Sequence, residues 1–194
     1  MQQQGKFLLL TAAEFSKWLT GLKVVRTIKL VQNHHTWLPN YSTFNKSKNH
    51  FRILTSMENA HKERGFTQIA QNLTTFPDGS IAVCRPFDDI PAGIKGANAF
   101  GICIEHIGNF DTDKDVMTKI HREVIIKVNA WLCKKFKLSI NTNSVVYHHW
   151  YDLTTGKRVK EGSPNTKSCP GSNFFGGNTI AACEMNFIPE IKKI

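Results

Sequence analysis

The chain has 194 residues, of which 41% are hydrophobic and 21% are charged. This is the composition of an ordinary globular protein, and the length suits one domain with a substantial core. No segment approaches the roughly 20 apolar residues of a membrane-spanning helix. The apolar run Phe7-Leu8-Leu9-Leu10 is too short for the core of a signal peptide. We therefore expect synthesis in the cytoplasm without a signal peptide, and no membrane span.

The net charge is strongly positive. Lysine and arginine total 25 against 15 acidic residues, which gives a formal charge of +10. Such an excess favours a polyanionic partner: nucleic acid, anionic lipid or an anionic cell-wall polymer. Basic clusters such as Lys157-Arg158-Lys160 are not interleaved with aromatic residues, as a base-stacking surface would be. Charge alone does not select the polymer, so a nucleic-acid-binding protein is one alternative at this point.

The cysteines do not form a disulfide framework. Their number is odd and no CxxC pair occurs; they are Cys84, Cys103, Cys133, Cys169 and Cys183. In a chain without an export signal the default is reduced thiols that act as small buried apolar residues. One of them can still serve a chemical role.

The first half of the chain predicts two helices, a strand and a hairpin. Thr11 and Glu14 form a capping-box pattern that begins a helix ending near Gly21. The other elements predicted here are a strand over residues 24–32, a helix over 49–64 and a hairpin with strands 69–76 and 80–85. The strand would place His34 at its C-terminal end.

The second half predicts a buried strand, a long helix, a further strand and a last helix. Their ranges are 100–107, 113–137, 144–147 and 172–187, and Asp113 is expected to cap the long helix. Strands and helices mixed in this way predict an α/β fold, with a single mixed central sheet and helices packed on both faces. We expect one domain over residues 1–187 and a tail or linker over 188–194.

Three features carry the chemistry. His34-His35 and His148-His149 each lie at the end of a predicted strand, and Lys167-Ser168-Cys169-Pro170-Gly171 is a tight loop before a helix. Successive strand residues face opposite sides, so only one histidine of each pair can point into a shared site. Two imidazoles and one thiolate would leave a fourth tetrahedral position open, which is typical of catalytic zinc. The alternative is ordinary: core histidines with hydrogen-bond partners, and a cysteine packed as a small apolar residue.

A carboxylate also stands inside the apolar strand. Glu105 is costly to bury unless it is paired or chemically active. His106 follows it and should face the other side of the strand, so we predict a structural role for His106. His50, His61 and His121 lie on predicted helices with polar neighbours and are assigned no role.

Several separated motifs occur in an order that resembles one known family. They are His34-His35-Thr36, Gly65-Phe66-Thr67-Gln68-Ile69, Asp78-Gly79, Ala97-Asn98, Gly101-Ile102-Cys103-Ile104-Glu105, His148 and Lys167-Ser168-Cys169-Pro170-Gly171. Together they resemble the zinc-dependent N-acetylmuramoyl-L-alanine amidases, which include phage endolysins, bacterial autolysins and animal peptidoglycan recognition proteins. The resemblance covers about residues 27–187.

The resemblance implies a zinc hydrolase that cleaves the amide between N-acetylmuramic acid and L-alanine. It implies one zinc ion bound by His34, His148 and Cys169, and it selects His148 over His149 less firmly than His34 over His35. Zinc lowers the pKa of a bound water to about 7, which supplies a nucleophile at neutral pH.

The resemblance also implies the roles around the metal. Glu105 would act as general base and then acid, and Lys167 would stabilise the oxyanion. Asn98 and Trp150 are predicted to contact substrate, although Asn98 can equally hold its loop and Trp150 can equally pack beneath one.

The implied partner is bacterial peptidoglycan, with anionic cell-wall polymers as a further candidate and no nucleic acid. The protein itself is expected to be a monomer. The absence of a signal peptide favours an endolysin, which waits in the cytoplasm. The alternative is a non-catalytic peptidoglycan-binding module; members of that kind typically lack the cysteine ligand, and Cys169 is present here.

The chain departs from the family pattern at two places. Gln71 stands where many relatives carry a tyrosine near the site, which strengthens Glu105 as the base. Residues 150–163 resemble an insertion, which a loop can accommodate at small entropic cost. Trp150 and Tyr151 within it are candidate contacts for sugar or peptide.

Overall fold

The computed structural model describes residues 1–159 and 163–194, and within them the strands form one seven-stranded sheet in the order β1-β2-β5-β4-β6-β3-β7. The strands are β1 Gln2–Gln4, β2 Phe7–Leu10, β3 Leu30–His35, β4 Leu73–Thr75, β5 Ile81–Val83, β6 Gly101–His106 and β7 Val145–Tyr147. Along the sheet, the pairs β1–β2, β2–β5 and β5–β4 are antiparallel, whereas β4, β6, β3 and β7 run parallel to one another. The sheet is therefore mixed, as predicted.

Helices connect and cover the strands. They are α1 Ala12–Gly21, α2 Tyr41–Ser47, α3 His50–Glu63, α4 Lys119–Phe136, α5 Ile180–Ala182 and α6 Ile188–Lys192, with a π-helical turn Cys183–Phe187 joining the last two. Thr11 caps α1 in the predicted capping box with Glu14, and Asn49 caps α3. In the described part of the chain no helix is long and apolar enough to cross a membrane.

Apolar side chains lie on both faces of the sheet. One core cluster contains Leu10 and Ile81 with residues of α1, α4 and α6. The other contains Leu9 and Ala82, their immediate neighbours along the same strands, with residues of α2 and α3. Because adjacent strand residues point to opposite faces, these two clusters lie on the two sides of the sheet. The predicted α/β fold with helices on both faces is confirmed.

The strand predicted over 24–32 lies further along the chain and runs from Leu30 to His35. Val25 is 91% exposed, and the backbone N–H groups of Val25 and Arg26 donate to the Asp88 carboxylate rather than to a neighbouring strand. β-branched residues favour strands because they pack on a pleated surface. Here Val24 and Ile28 pack on the core from a segment outside the sheet, and Val25 is left in solvent.

Two helix boundaries also differ from prediction. Asp113 has φ of 61°, a left-handed conformation incompatible with a helix N-cap, so α4 begins at Lys119 with Thr118 as its cap. Gly176 and Gly177 have positive φ and end the short turn Phe174–Gly176, so the last helical segment begins after Thr179. Within residues 188–194, which we expected to be a tail, α6 buries Ile188 and Ile191 in the core.

Candidate metal centre and groove

The C-terminal ends of three parallel strands meet at one edge of the sheet. Strand β3 ends with His34-His35, β6 ends with Glu105-His106, and His148 directly follows β7. In the register of β3 and β6, His34 lies opposite Glu105. Parallel alignment therefore brings residues more than a hundred positions apart in sequence to one site.

Three potential metal ligands come together there. His34 Nδ1 lies 3.2 Å from His148 Nδ1 and 3.5 Å from Cys169 Sγ, and all three side chains are buried. Zinc binds imidazole nitrogen at about 2.0–2.1 Å and thiolate at about 2.3 Å, and tetrahedral angles then separate two nitrogens by about 3.3 Å and nitrogen from sulfur by about 3.6 Å. The donor set and its spacing fit a zinc ion.

The second histidine of each pair is engaged elsewhere. His35 Nδ1 accepts a hydrogen bond from the backbone N–H of Phe110 at 3.0 Å. His149 Nδ1 lies 2.6 Å from the carbonyl oxygen of Lys167, to which it donates. The geometry therefore groups His34 and His148 with Cys169. These are the two histidines that the motif order favoured.

Burial governs the protonation of these groups. It lowers the pKa of His34 well below its ordinary value, lowers that of His148 to about 4, and raises that of the Cys169 thiol. The imidazoles are thus neutral and able to offer a lone pair. A bound cation would reverse the preference of Cys169 and favour its thiolate.

Glu105 lies beside the three donors. Its Oε1 is 4.0 Å from His34 Nδ1, and its Oε2 is buried without a hydrogen-bond partner among the described residues. Burial raises the pKa of Glu105 to about 8, an effect that the positive charge of Lys167 opposes. An unpartnered buried carboxyl of this kind is typical of a group that exchanges protons.

The loop that carries Cys169 is fixed from both sides by one carboxylate. Ser168 Oγ donates to Asp111 Oδ2 at 3.2 Å, and the backbone N–H of Ser172 donates to Asp111 Oδ1 at 3.0 Å. The sequence did not single out Asp111, because its position depends on how two distant loops pack.

Gly93 lies against the ring of His34 on the side away from Cys169. A Cβ atom at Gly93 would stand 3.1 Å from His34 Nε2, 2.4 Å from Gln32 Oε1 and 2.7 Å from Cys103 Sγ. Only glycine allows this close backbone approach. A lone glycine in a loop carries no sequence signal of this kind, so the sequence did not identify it.

The site opens into a groove of about 1160 Å³. Its lining includes the three potential metal ligands, Glu105 and Lys167. Further lining residues come from the loop after β3, from α2 and α3, and from the segment after α3; among them are Trp37, Leu38, Pro39, Lys46, Arg52, Met57, Arg64 and Phe66. This volume exceeds the range of roughly 300–1,000 Å³ that is typical of a pocket for one small molecule.

The predicted substrate residues have different outcomes. Asn98 Oδ1 accepts a hydrogen bond from the backbone N–H of Gly93 at 2.9 Å, which holds the loop before β6, and its contact with substrate stays a prediction. Trp150 was expected to face the groove, but it is only 2% exposed. Its Nε1 donates to Asn178 O at 2.7 Å and its ring stacks on Tyr147, so Trp150 belongs to the core.

The insertion predicted over 150–163 folds back on itself through a bridge between Tyr151 and Arg158. Its residues 160–162 lie outside the described part of the chain. Tyr151 is also buried, so the aromatic side chains of this segment pack inward. Gln71, at the position of the missing tyrosine, is buried and donates from Nε2 to Thr74 Oγ1 at 2.9 Å.

Known structures share this fold. An N-acetylmuramoyl-L-alanine amidase from Clostridium intestinale URNW matches with a TM-score of 0.56 and 21% identity, over 87% of this chain and 85% of that one. Drosophila peptidoglycan recognition protein SA matches with a TM-score of 0.60 and 20% identity, over 87% and 88%. A Drosophila PGRP-LB mutant in complex with tracheal cytotoxin matches with a TM-score of 0.58 and 20% identity, over 84% and 83%.

No curated protein matched the chain. The family model described as N-acetylmuramoyl-L-alanine amidase matches residues 25–172, a range that holds all three potential ligands, Glu105 and Lys167. This match spans well over half of the sequence, and the resemblance seen in the motifs is confirmed. The chain belongs to the N-acetylmuramoyl-L-alanine amidase family.

Proposed function

We propose that this protein is a zinc-dependent amidase that hydrolyses the bond between N-acetylmuramic acid and L-alanine in bacterial peptidoglycan. The observation that carries the proposal is the cluster of His34, His148 and Cys169 beside Glu105 in the groove, where Oε2 of Glu105 is buried without a hydrogen-bond partner among the described residues. Family membership supports the reaction class. Two neighbours in complex with tracheal cytotoxin, which is a monomeric diaminopimelic acid-type peptidoglycan, support a peptidoglycan-derived ligand.

His34, His148 and Cys169 would hold the zinc ion, which supplies an activated water and polarises the scissile carbonyl. Glu105 would accept the proton of the attacking water as hydroxyl adds to the carbonyl carbon. It would then deliver that proton to the departing amine as the C–N bond breaks, leaving a lactyl carboxylate and a free L-alanine amino group. The raised pKa of Glu105 suits a carboxyl that must both take up and release a proton.

Lys167 would stabilise the negative charge that develops on the carbonyl oxygen. It lines the groove two residues before Cys169, and its charge already acts on the pKa values of Glu105 and His148. A positive charge held near the developing oxyanion is worth most where water is excluded.

The test is zinc content and wall hydrolysis measured together on the full chain. We expect one zinc per chain and release of new L-alanine amino termini from purified walls. Cys169→Ser should lose both, whereas Cys133→Ser, which alters a buried cysteine of α4, should keep both. Glu105→Gln should keep zinc and lower kcat about 100-fold or more. Tight binding of walls with zinc but without new amino termini would instead identify a non-catalytic binding module.

A further inference from the structure

The four tryptophans of the chain divide into three that are packed and one that is not. Trp18 and Trp131 contact Phe15, and Trp150 stacks on Tyr147. None of the ring contacts found among the described residues involves Trp37, whose side chain is 58% exposed and lines the groove beside His34. The next residue, Leu38, also lines the groove and is equally exposed. Adjacent exposed apolar side chains in a groove indicate a ligand-binding surface.

The backbone holds Trp37 in an unfavourable conformation. Its φ is 58°, in the left-handed region that bulky residues avoid. Its N–H donates to Gly108 O at 3.0 Å, and the preceding Thr36 donates from its N–H to His106 O at 3.0 Å and accepts at its hydroxyl from Gly108 N. These bonds tie the loop to the end of β6. Strain of this kind is kept where the surroundings enforce it, and it concentrates at ligand-binding positions.

The two walls of the groove differ in chemistry. Trp37, Leu38 and Pro39 form an uncharged wall. The other wall carries cations: Lys46 of α2, Arg52 of α3, and Arg64 directly after α3. All three are exposed, and none has an acidic partner within 4.0 Å among the described residues.

From this division we propose that Trp37 is a substrate-binding residue that stacks on the saccharide ring next to the scissile amide. This rests on the proposed function. The lactyl carboxyl of N-acetylmuramic acid is consumed in the amide, so the ring is neutral and offers an apolar C–H face that fits an indole. The stem peptide carries free carboxylates, and charge complementarity assigns it to the wall of Lys46, Arg52 and Arg64.

The test compares two substrates that share the scissile amide. One is a muramyl peptide, and the other is the matching lactoyl peptide without the sugar ring. Trp37→Ala should raise KM for the muramyl peptide about tenfold, as loss of a buried aromatic contact does, and leave KM for the lactoyl peptide within about twofold. Trp37→Phe should recover part of the loss. Phe100→Ala removes an exposed aromatic that does not line the groove and should change neither value.

A second variant separates binding from folding. Trp37→Gly relieves the left-handed strain, so its denaturation midpoint should equal or exceed that of Trp37→Ala while its KM for the muramyl peptide stays high. An equal rise of KM for both substrates would place the peptide on Trp37 and overturn the proposal, as would unchanged KM values. If the wild type hydrolyses neither compound, the proposed function fails, and calorimetric Kd values for the same pair still decide the role of Trp37.

Discussion

Asn33 and Asn129 exchange two hydrogen bonds in the core directly behind the candidate metal centre. Asn33 Nδ2 donates to Asn129 Oδ1 at 3.0 Å, and Asn129 Nδ2 donates to Asn33 Oδ1 at 2.9 Å. Asn129 Nδ2 also donates to the carbonyl oxygen of Ile125, which fixes the orientation of both amides. The pair joins helix α4 to strand β3 at the residue before His34, on the face opposite that histidine.

We predict that Asn129→Ala lowers the free energy of unfolding by about 2 to 3 kcal/mol. The substitution leaves the Asn33 amide buried without its acceptor, and a buried polar group without a partner costs about 1 to 3 kcal/mol before any cavity is counted. Urea denaturation monitored by circular dichroism measures the change. Asn143→Ala, at an exposed position, should stay within about 0.5 kcal/mol of wild type. Equal values for both variants would contradict a stabilising role for the pair.

The same amides set the tautomers of two buried histidines. Asn33 Oδ1 can only accept, so His106 must donate from Nε2 and accept at Nδ1 from the Thr75 hydroxyl, 2.8 Å away. Thr75 then accepts from Nε2 of His121, also 2.8 Å away, and the Nδ1 of His121 accepts from Tyr41. We predict that nitrogen chemical shifts in NMR find both rings neutral and protonated at Nε2. The opposite tautomer in either ring would contradict this series of hydrogen bonds.

Thr75 can be tested as the link between the two rings. Thr75→Val keeps the shape and removes the hydroxyl, so His106 loses its donor and His121 its acceptor. We expect a loss of about 2 kcal/mol or more in unfolding free energy, because two buried groups are left unsatisfied. Thr75→Ser restores the hydroxyl and should recover most of that loss. A valine variant as stable as wild type would show that the hydrogen bonds of Thr75 contribute little to stability.

Burial lowers the pKa of His121 from 6.5 to about 3, so this residue should make stability depend on pH. The folded state binds fewer protons than the unfolded state between these values, and its stabilisation is complete above 6.5 and is lost as pH falls towards 3. Between about pH 7.5 and 5.5 one such histidine accounts for about 1.4 kcal/mol. The wild type should therefore lose about that much more stability than His121→Gln, both measured in chelator. If the free energies of unfolding of the two proteins fall equally with pH, His121 protonates freely in the folded state.

The fold could be predicted well where sequence pattern and burial coincide. The capping-box pattern of Thr11 and Glu14 predicted α1, and the apolar residues around Glu105 predicted a central strand. Parallel strands that end together then place His34 and Glu105 side by side. The start of α4 was missed because Asp113, a good cap by type, adopts a left-handed conformation that only the packed loop determines.

The site could be predicted in its donor residues and not in its surroundings. His34, His148 and Cys169 carry a chemical signature, and motif order relates them across the chain. Trp37 and Trp150 are the same residue type, and no local pattern distinguishes them; tertiary packing buries one and exposes the other. Asp111 was missed for the same reason, since its contacts come from residues more than fifty positions away.

Zinc should stabilise the fold if the three donors bind it. At free zinc of about 100 times its Kd, the unfolding free energy should rise by about 2.7 kcal/mol, and chelator should reverse the rise. Cys169→Ser should lose most of this gain. Cys133→Ala is expected to lower the baseline but keep the gain, because Cys133 lies in α4 away from the donor cluster. A gain that survives in Cys169→Ser would place the ion elsewhere.

Asp111 should control zinc affinity without touching the ion. Its two oxygens hold Ser168 and Ser172 on either side of Cys169, so its loss frees the loop that aims the thiolate. Groups that orient a ligand are typically worth about 10- to 100-fold in metal affinity, and we expect Asp111→Ala to raise the zinc Kd at least about tenfold. Asp111→Asn keeps one acceptor and should have a smaller effect.

Asp113→Asn removes the same charge two residues along the loop, where the side chain is exposed and an asparagine tolerates the left-handed backbone. Zinc competition against a chromophoric chelator gives all three Kd values. An equal rise for the asparagine variants at 111 and 113 would mean that general electrostatics, and not the bracing of the Cys169 loop, determines the affinity.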